Sequence, residues 1–110
     1  MTPSRTLLRS LAALSLAATW TATEAQSPKP YQPREYQQGK DVVWVPTAQS
    51  LIEKMLDVAN VTPNDYVVDL GSGDGRTVIA AAKRGAKALG IEYNPDMVEL
   101  SKRNAEKAGI

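Results

Sequence analysis

Residues 67–77 read VVDLGSGDGRT: glycines at 71, 73 and 75 alternate with polar residues, between an apolar run that carries Asp69 and an alanine-rich segment that begins at Arg76. Glycine tolerates positive φ and, lacking a Cβ, lets a ligand approach the main chain. A loop that leads from a strand into a helix N-terminus also directs amides at that ligand. A tight turn alone would need one glycine. Asp69 and Asp74 flank this bare backbone, and a third carboxylate, Glu92, ends the next β-prone run. Ionised carboxylates only accept hydrogen bonds. The set therefore suits a ligand rich in donors or positive charge.

The spacing argues against the two commonest phosphate binders. A dinucleotide loop prefers G-x-G-x-x-G with the pyrophosphate on the helix N-terminus. Here the third glycine comes one residue early, at Gly75, and Asp74 would repel a pyrophosphate, with Arg76 only partly offsetting it. A P-loop would need Gly-Lys-Ser/Thr, which does not follow. S-adenosylmethionine has a sulfonium, an amino group, a carboxylate and a ribose but no phosphate, and suits these acids better. Glu92 is placed to accept both hydroxyls of a ribose.

The 110 residues include no cysteine and no histidine, so no disulfide framework, thiol nucleophile, imidazole base or soft metal site is expected. No metal is assigned. With 13 basic and 12 acidic side chains the chain lacks the basic field of a phosphate-tracking protein, and Lys83, Arg84, Lys87, Lys102, Arg103 and Lys107 read as solvated helix faces and ends.

The elements that must position the carboxylates follow from periodicity. Val42 to Val45 is a β-prone run stopped by Pro46, and Thr47 is expected to cap a helix whose apolar face is Ala48, Leu51, Ile52, Met55, Leu56 and Ala59. Thr62-Pro63-Asn64-Asp65 makes a turn, Tyr66 to Leu70 a strand, and Arg76 to Arg84 a second helix closed by Gly85. A second strand over Ala88 to Glu92 precedes Asn94-Pro95-Asp96, a cap, a first-turn proline and a first-turn acid that open a third helix through Lys107. On that helix Met97, Val98, Ser101, Ala105 and Ala108 form a packing stripe. The expected fold class is α/β, a partial Rossmann-like parallel sheet in the order helix-strand-helix-strand-helix. Two parallel strands leave open edges and an uncovered apolar face, so the chain is expected to be the truncated front part of a longer domain, or else to need a partner.

Residues 1–25 read as a signal peptide or other targeting segment. Arg5 and Arg9 precede an uncharged run from Ser10 to Trp20, and Thr23-Glu24-Ala25 offers a cleavage site. Export to a periplasm or the medium is the first reading. A mitochondrial presequence and a membrane anchor stay open, because Ser and Thr are frequent and the first acid is Glu24. The run is too short for a spanning helix, so none is expected in the mature chain. Residues 26–40, with their prolines and glutamines and no aliphatic side chain, read as a disordered linker whose Tyr31 and Tyr36 could dock on a neighbour, and residues 41–110 as the domain proper.

VVDLGSGDGRT followed by ALGIEYNPDMVELSKRNAEKAG resembles the first two cofactor motifs of class I S-adenosylmethionine-dependent methyltransferases, over about residues 65–110. The upstream DVVWVPT is similar to a stretch of small lysine methyltransferases that include those modifying the c-ring protein of ATP synthase, and D-L-G-S-G is similar to the Dot1-type histone lysine enzymes. The resemblance implies that Asp69 holds the cofactor's amino group and that Gly71, Ser72, Gly73, Asp74 and Gly75 contact its methionine part and ribose. It further implies that Glu92 takes the ribose hydroxyls and that Tyr93 and Asn94 flank the adenosine. The implied acceptor is a protein lysine, and no catalytic residue is assigned. Trp44 and Val45 are expected to dock as an apolar strand under the sheet. Two rival readings stand beside this one: a non-catalytic cofactor-binding fragment, and a nicotinamide-dependent oxidoreductase.

Overall fold

The computed structural model describes residues 27–39 and 42–110. The expected targeting segment lies outside the described residues. Five elements follow one another: α1 (Gln49–Val58), β1 (Tyr66–Leu70), α2 (Arg76–Lys83), β2 (Lys87–Ile91) and α3 (Pro95–Lys107). β1 and β2 pair in parallel, Tyr66 opposite Lys87 through Leu70 opposite Ile91, with α2 as the crossover. This is the expected α/β order, with β2 one residue earlier than predicted, so that Glu92 stands just beyond the strand.

Strand alternation divides the sheet. Val67 and Ala88 face the helices and pack with Ile52 and Leu56 of α1 and Ala80 and Ala81 of α2. Ile52 is wholly buried, and truncating such a side chain to alanine costs about 2–5 kcal/mol. The small side chains of α2 let α1 approach closely. At their far ends the two helices are joined by Arg84, which reaches Glu53 and Asp57 at 2.8 Å each. The other face of the sheet is open: Tyr66, Val68, Leu70, Leu89 and Ile91 are all 43% or more exposed. Of the stripe predicted on α3, only Met97 is buried, the others being half-buried.

The connections carry their expected chemistry. In the T-P-N-D turn Asp65 accepts from the Thr62 amide at 2.7 Å and its N–H returns to the Thr62 carbonyl. Asn94 caps α3 by accepting from the Asp96 amide at 2.9 Å, with Pro95 in the first turn. Upstream of α1 the expectations fail in two places. Val42 to Val45 form no strand, since the run pairs with neither β1 nor β2; among the described residues a single long bond of 3.3 Å, from the Tyr36 amide to the Trp44 carbonyl, ties it to the main chain before it. Thr47 is not the cap: the N-cap is Ala48, without a side-chain bond, and the Thr47 carbonyl is instead taken by the Arg76 guanidinium. Residues 27–39 have no helix or strand, yet Tyr31 and Pro33 are half-buried.

Candidate functional site

Parallel pairing brings the carboxyl ends of β1 and β2 to one edge of the sheet, where open α/β sheets bind their ligands. Asp69 arrives there on the penultimate residue of β1, the glycine loop follows at once, and Glu92 comes in from the end of β2. A cleft of about 180 Å³ opens beside them, lined by Asp69, residues 71–74, Arg76 and Thr77 and by residues 44–47 with Met55. That is less than the roughly 300–1,000 Å³ of a complete small-molecule pocket. These walls enclose part of a ligand rather than the whole.

The loop's amides are nearly all used within the protein. Those of Gly71 and Ser72 donate to the Ile91 carbonyl at 2.7 and 3.0 Å, and that of Gly75 donates to the Ser72 carbonyl at 2.9 Å. The Gly73 amide donates to Oε2 of Glu92 at 2.8 Å. The other carboxylate oxygen of Glu92 accepts from the Asn94 amide at 2.9 Å, so one side chain latches the loop to the start of α3. The expected use of these amides as ligand donors is therefore closed for those four residues. Asp69 and the loop line the cleft together with Arg76 and Thr77, and the spare lone pairs of Glu92 lie beside the Gly73 amide it holds.

Two of the three loop glycines are explained by close approach, while Gly71 has open space and only its positive φ of +79°. At Gly73 (φ +55°) a Cβ would come within 2.9 Å of the Trp44 indole nitrogen, and at Gly75 (φ +81°) within 2.8 Å of the Ser101 Cβ on α3. One glycine thus admits the upstream segment and the other the third helix. A third contact of this kind joins the strands to the loop: a Cβ on Gly90 would meet Ser72 Oγ at 2.6 Å, which is why Ser72 is buried.

Asp74 is committed to Arg76. The guanidinium places Nη2 at 2.6 Å and Nε at 2.9 Å from its two carboxylate oxygens, and this pairing holds the Arg76 pKa above its ordinary value. Asn104 on α3 donates to the Asp74 carbonyl at 3.0 Å. The charge that would sit at the N-terminus of α2 is thus already matched. Tyr93 is fully exposed, and the Asn94 side chain is spent as the α3 cap. The structure therefore gathers Asp69, the loop and Glu92 at one edge, with Tyr93 and Asn94 beside Glu92 rather than in the cleft.

Sequence reasoning missed Trp44, which packs on the glycine loop instead of under the sheet, and Arg76, whose reach to Thr47 no periodicity reveals. The DVVWVPT stretch was the available signal, since its similarity to a segment preceding a cofactor motif implied proximity to that motif. A larger hollow of about 600 Å³ lies between α1, α2 and α3. Its two acids, Glu53 and Asp74, are both already paired with arginine.

Comparison with known proteins agrees with this geometry. The family described as histone methylation protein DOT1 matches residues 23–108. A protein-lysine N-methyltransferase of Saccharolobus islandicus is 42% identical over 71 residues, 63% of this chain and 44% of that protein. The human lysine N-methyltransferase named for the c-ring protein of ATP synthase is 42% identical over 67 residues, 61% of this chain and 28% of that one. Among solved structures, an RNA methyltransferase from Salinibacter ruber in complex with S-adenosyl-L-homocysteine superposes with a TM-score of 0.58 at 48% identity, covering 59% of this chain and 43% of that one. The chain thus spans less than half the length of these relatives.

Proposed function

We propose that this chain, which belongs to the DOT1 histone methylation protein family, is the cofactor-binding part of a class I S-adenosylmethionine-dependent methyltransferase whose methyl acceptor is a protein lysine. The observation that carries the reading is the polarity of the site. The amides of Gly71, Ser72, Gly73 and Gly75 are consumed inside the protein, and the Asp69 side chain stands among the residues that line the cleft. A pyrophosphate needs free donors and finds few here, which counts against a nicotinamide dinucleotide. S-adenosylmethionine carries a single carboxylate in place of a pyrophosphate, and its ammonium, two ribose hydroxyls and sulfonium charge suit acceptors and acids.

In this reading Asp69 and the loop carbonyls hold the amino group and Glu92 the ribose diol. Both Glu92 oxygens are pre-oriented by main-chain amides and retain free lone pairs. When bound, the cofactor supplies a methyl group activated by the sulfonium charge; the chain supplies orientation and exclusion of water. The lysine acceptor is supported by relatives named as lysine methyltransferases, one of proteins in general and one of the ATP synthase c-ring protein. The likeness to an RNA methyltransferase makes RNA the second acceptor to try, although a net charge of +1 gives little field for it.

Residues 41–110 are read as the front part of that domain, and the open sheet face of Tyr66, Val68, Leu70, Leu89 and Ile91 as the surface its remainder covers. Residues 1–25 are read as a targeting segment, first of all an export signal. Among the described residues no helix is long and apolar enough to cross a membrane.

The test is calorimetric titration with S-adenosylmethionine and S-adenosylhomocysteine, with Asp69→Ala beside the wild type. Binding that falls about tenfold or more in the variant (about 1.4 kcal/mol) is the expected result. Absence of binding to folded protein, or micromolar binding of a reduced nicotinamide dinucleotide, would sink the reading. For the leader, residues 1–30 fused to a reporter should leave the cytosol, and full-length cytosolic recovery would remove the claim.

A further inference from the structure

The segment Val42 to Thr47 forms one side of the cleft, yet little of its own holds it there. It has no ladder or helical bond, its valines 42, 43 and 45 are 83%, 44% and 49% exposed, and its Trp44 carbonyl has one long bond, from Tyr36. Two further contacts fix it: the Trp44 indole against Gly73, and the Thr47 carbonyl, which accepts from Nη1 of Arg76 at 2.9 Å. The same guanidinium spends Nε and Nη2 on Asp74, in the middle of the glycine loop, and Asn104 fastens that residue to α3. Among the described residues, Arg76 is therefore the one side chain with a hydrogen bond to both walls of the cleft. Each of its three nitrogens makes one of these bonds, so the fork is held between the two walls.

We propose that Arg76 is a positioning residue, whose planar fork clasps the strap Val42–Thr47 to the glycine loop and so seats Trp44 as a wall of the cofactor cleft. The proposal rests on reading that cleft as the S-adenosylmethionine site. A guanidinium suits the task because its nitrogens diverge in one plane and bind two partners at once, which an ammonium on a flexible stem does not reproduce. Asp74 acts through Arg76, holding the fork at the angle that reaches Thr47.

Trp44 is its own reporter, because Trp20 is the only other tryptophan. In the full chain carrying Trp20→Phe, acrylamide quenching of Trp44 measures strap seating without ligand, and calorimetry with S-adenosylhomocysteine measures the cleft. Arg76→Gln is too short to span Asp74 and Thr47. It should raise the quenching constant about twofold and weaken binding about tenfold, with Arg76→Lys and Asp74→Asn between it and the wild type. Arg76→Gln/Asp74→Asn should match Arg76→Gln alone, since the two residues act in series. Circular dichroism confirms folding, and if Arg76→Gln does not fold, Arg76→Lys carries the same comparison. Quenching that stays at the wild-type value in folded variants overturns the proposal, whatever happens to binding. A rise in quenching in a protein whose wild type does not bind S-adenosylhomocysteine leaves the clasp standing and removes the functional reading instead.

Discussion

Glu92→Ala separates the two tasks that the structure gives to one carboxylate. In the folded chain Glu92 accepts from the Gly73 amide at 2.8 Å and from the Asn94 amide at 2.9 Å. Gly73 is buried, so without the carboxylate its N–H has no partner and no ready access to water. Such an orphaned donor costs about 1–3 kcal/mol. Asn94 is half-buried, and water can replace part of what it loses. Taking about 2 kcal/mol in all, and about 4–8 °C per kcal/mol for a domain of this size, the melting temperature should fall by about 8–16 °C. Glu92→Gln keeps one acceptor oxygen for Gly73 and sets its NH2 against the Asn94 amide, so about half that fall is expected. Glu92→Gln loses one acceptor of the ribose pair and Glu92→Ala both, and affinity for S-adenosylhomocysteine should drop about tenfold or more in each even in protein verified as folded. Calorimetry and a thermal melt on the same samples read the two effects apart. An unchanged melting temperature in Glu92→Ala would refute the latch. A lowered one with unchanged affinity would refute the ribose contact and leave Glu92 a purely architectural residue.

Three further outcomes are expected. Gly71→Ala and Gly75→Ala both place a side chain at positive φ, at about 1–2 kcal/mol, but only at Gly75 does the new Cβ strike a neighbour, Ser101 on α3. Urea titration should therefore find Gly75→Ala about 1–3 kcal/mol the worse of the two, and equal costs would mean that α3 yields to the methyl group. Glu53 is held below the ordinary carboxylate value by its hydrogen bond to Arg84, so its share of stability is present above the unfolded pKa and lost as pH falls through the folded one. Melting temperatures at about pH 7 and about pH 3 should differ more in wild type than in Arg84→Gln; equal differences, or no effect of added salt on the contrast, would count against it. If the acceptor is a lysine amine, the methylation rate of the full-length enzyme should climb with pH toward about 10, the amine having to lose its proton before attack. A flat profile with chemistry rate-limiting would point to another acceptor.

Most of the fold was legible because local signals and tertiary needs agree. The strand over Tyr66–Leu70, the Asp65 turn and the Asn94-Pro95-Asp96 opening of α3 are each specified by residues within a few positions of one another. The segment before α1 was misread for the opposite reason. Val42 to Val45 have the composition of a strand, but a strand exists only where another edge pairs with it, and here Trp44 and Thr47, on either side of Pro46, meet residues about thirty positions downstream. No window-based pattern contains Arg76 and Thr47 together.

The site was legible at the level of residue types and less so at the level of roles. The three loop glycines invite a reading as a cradle of free amides, the arrangement that binds phosphate. Bond by bond, those amides go to the Ile91 carbonyl, the Ser72 carbonyl and Glu92. Two of the glycines are needed because an indole and a neighbouring helix lie where a Cβ would stand. The same alternation of glycine would serve an anion if the loop's acids were absent. Asp74, neutralised by Arg76, takes the place an anion would seek at the start of α2, and Glu92 takes the Gly73 amide that would have helped hold one. Glu92 and Asp74 thus do more than suit a donor-rich ligand: together with the Ile91 and Ser72 carbonyls they use up donors that the ligand class suggested by the glycines alone would need.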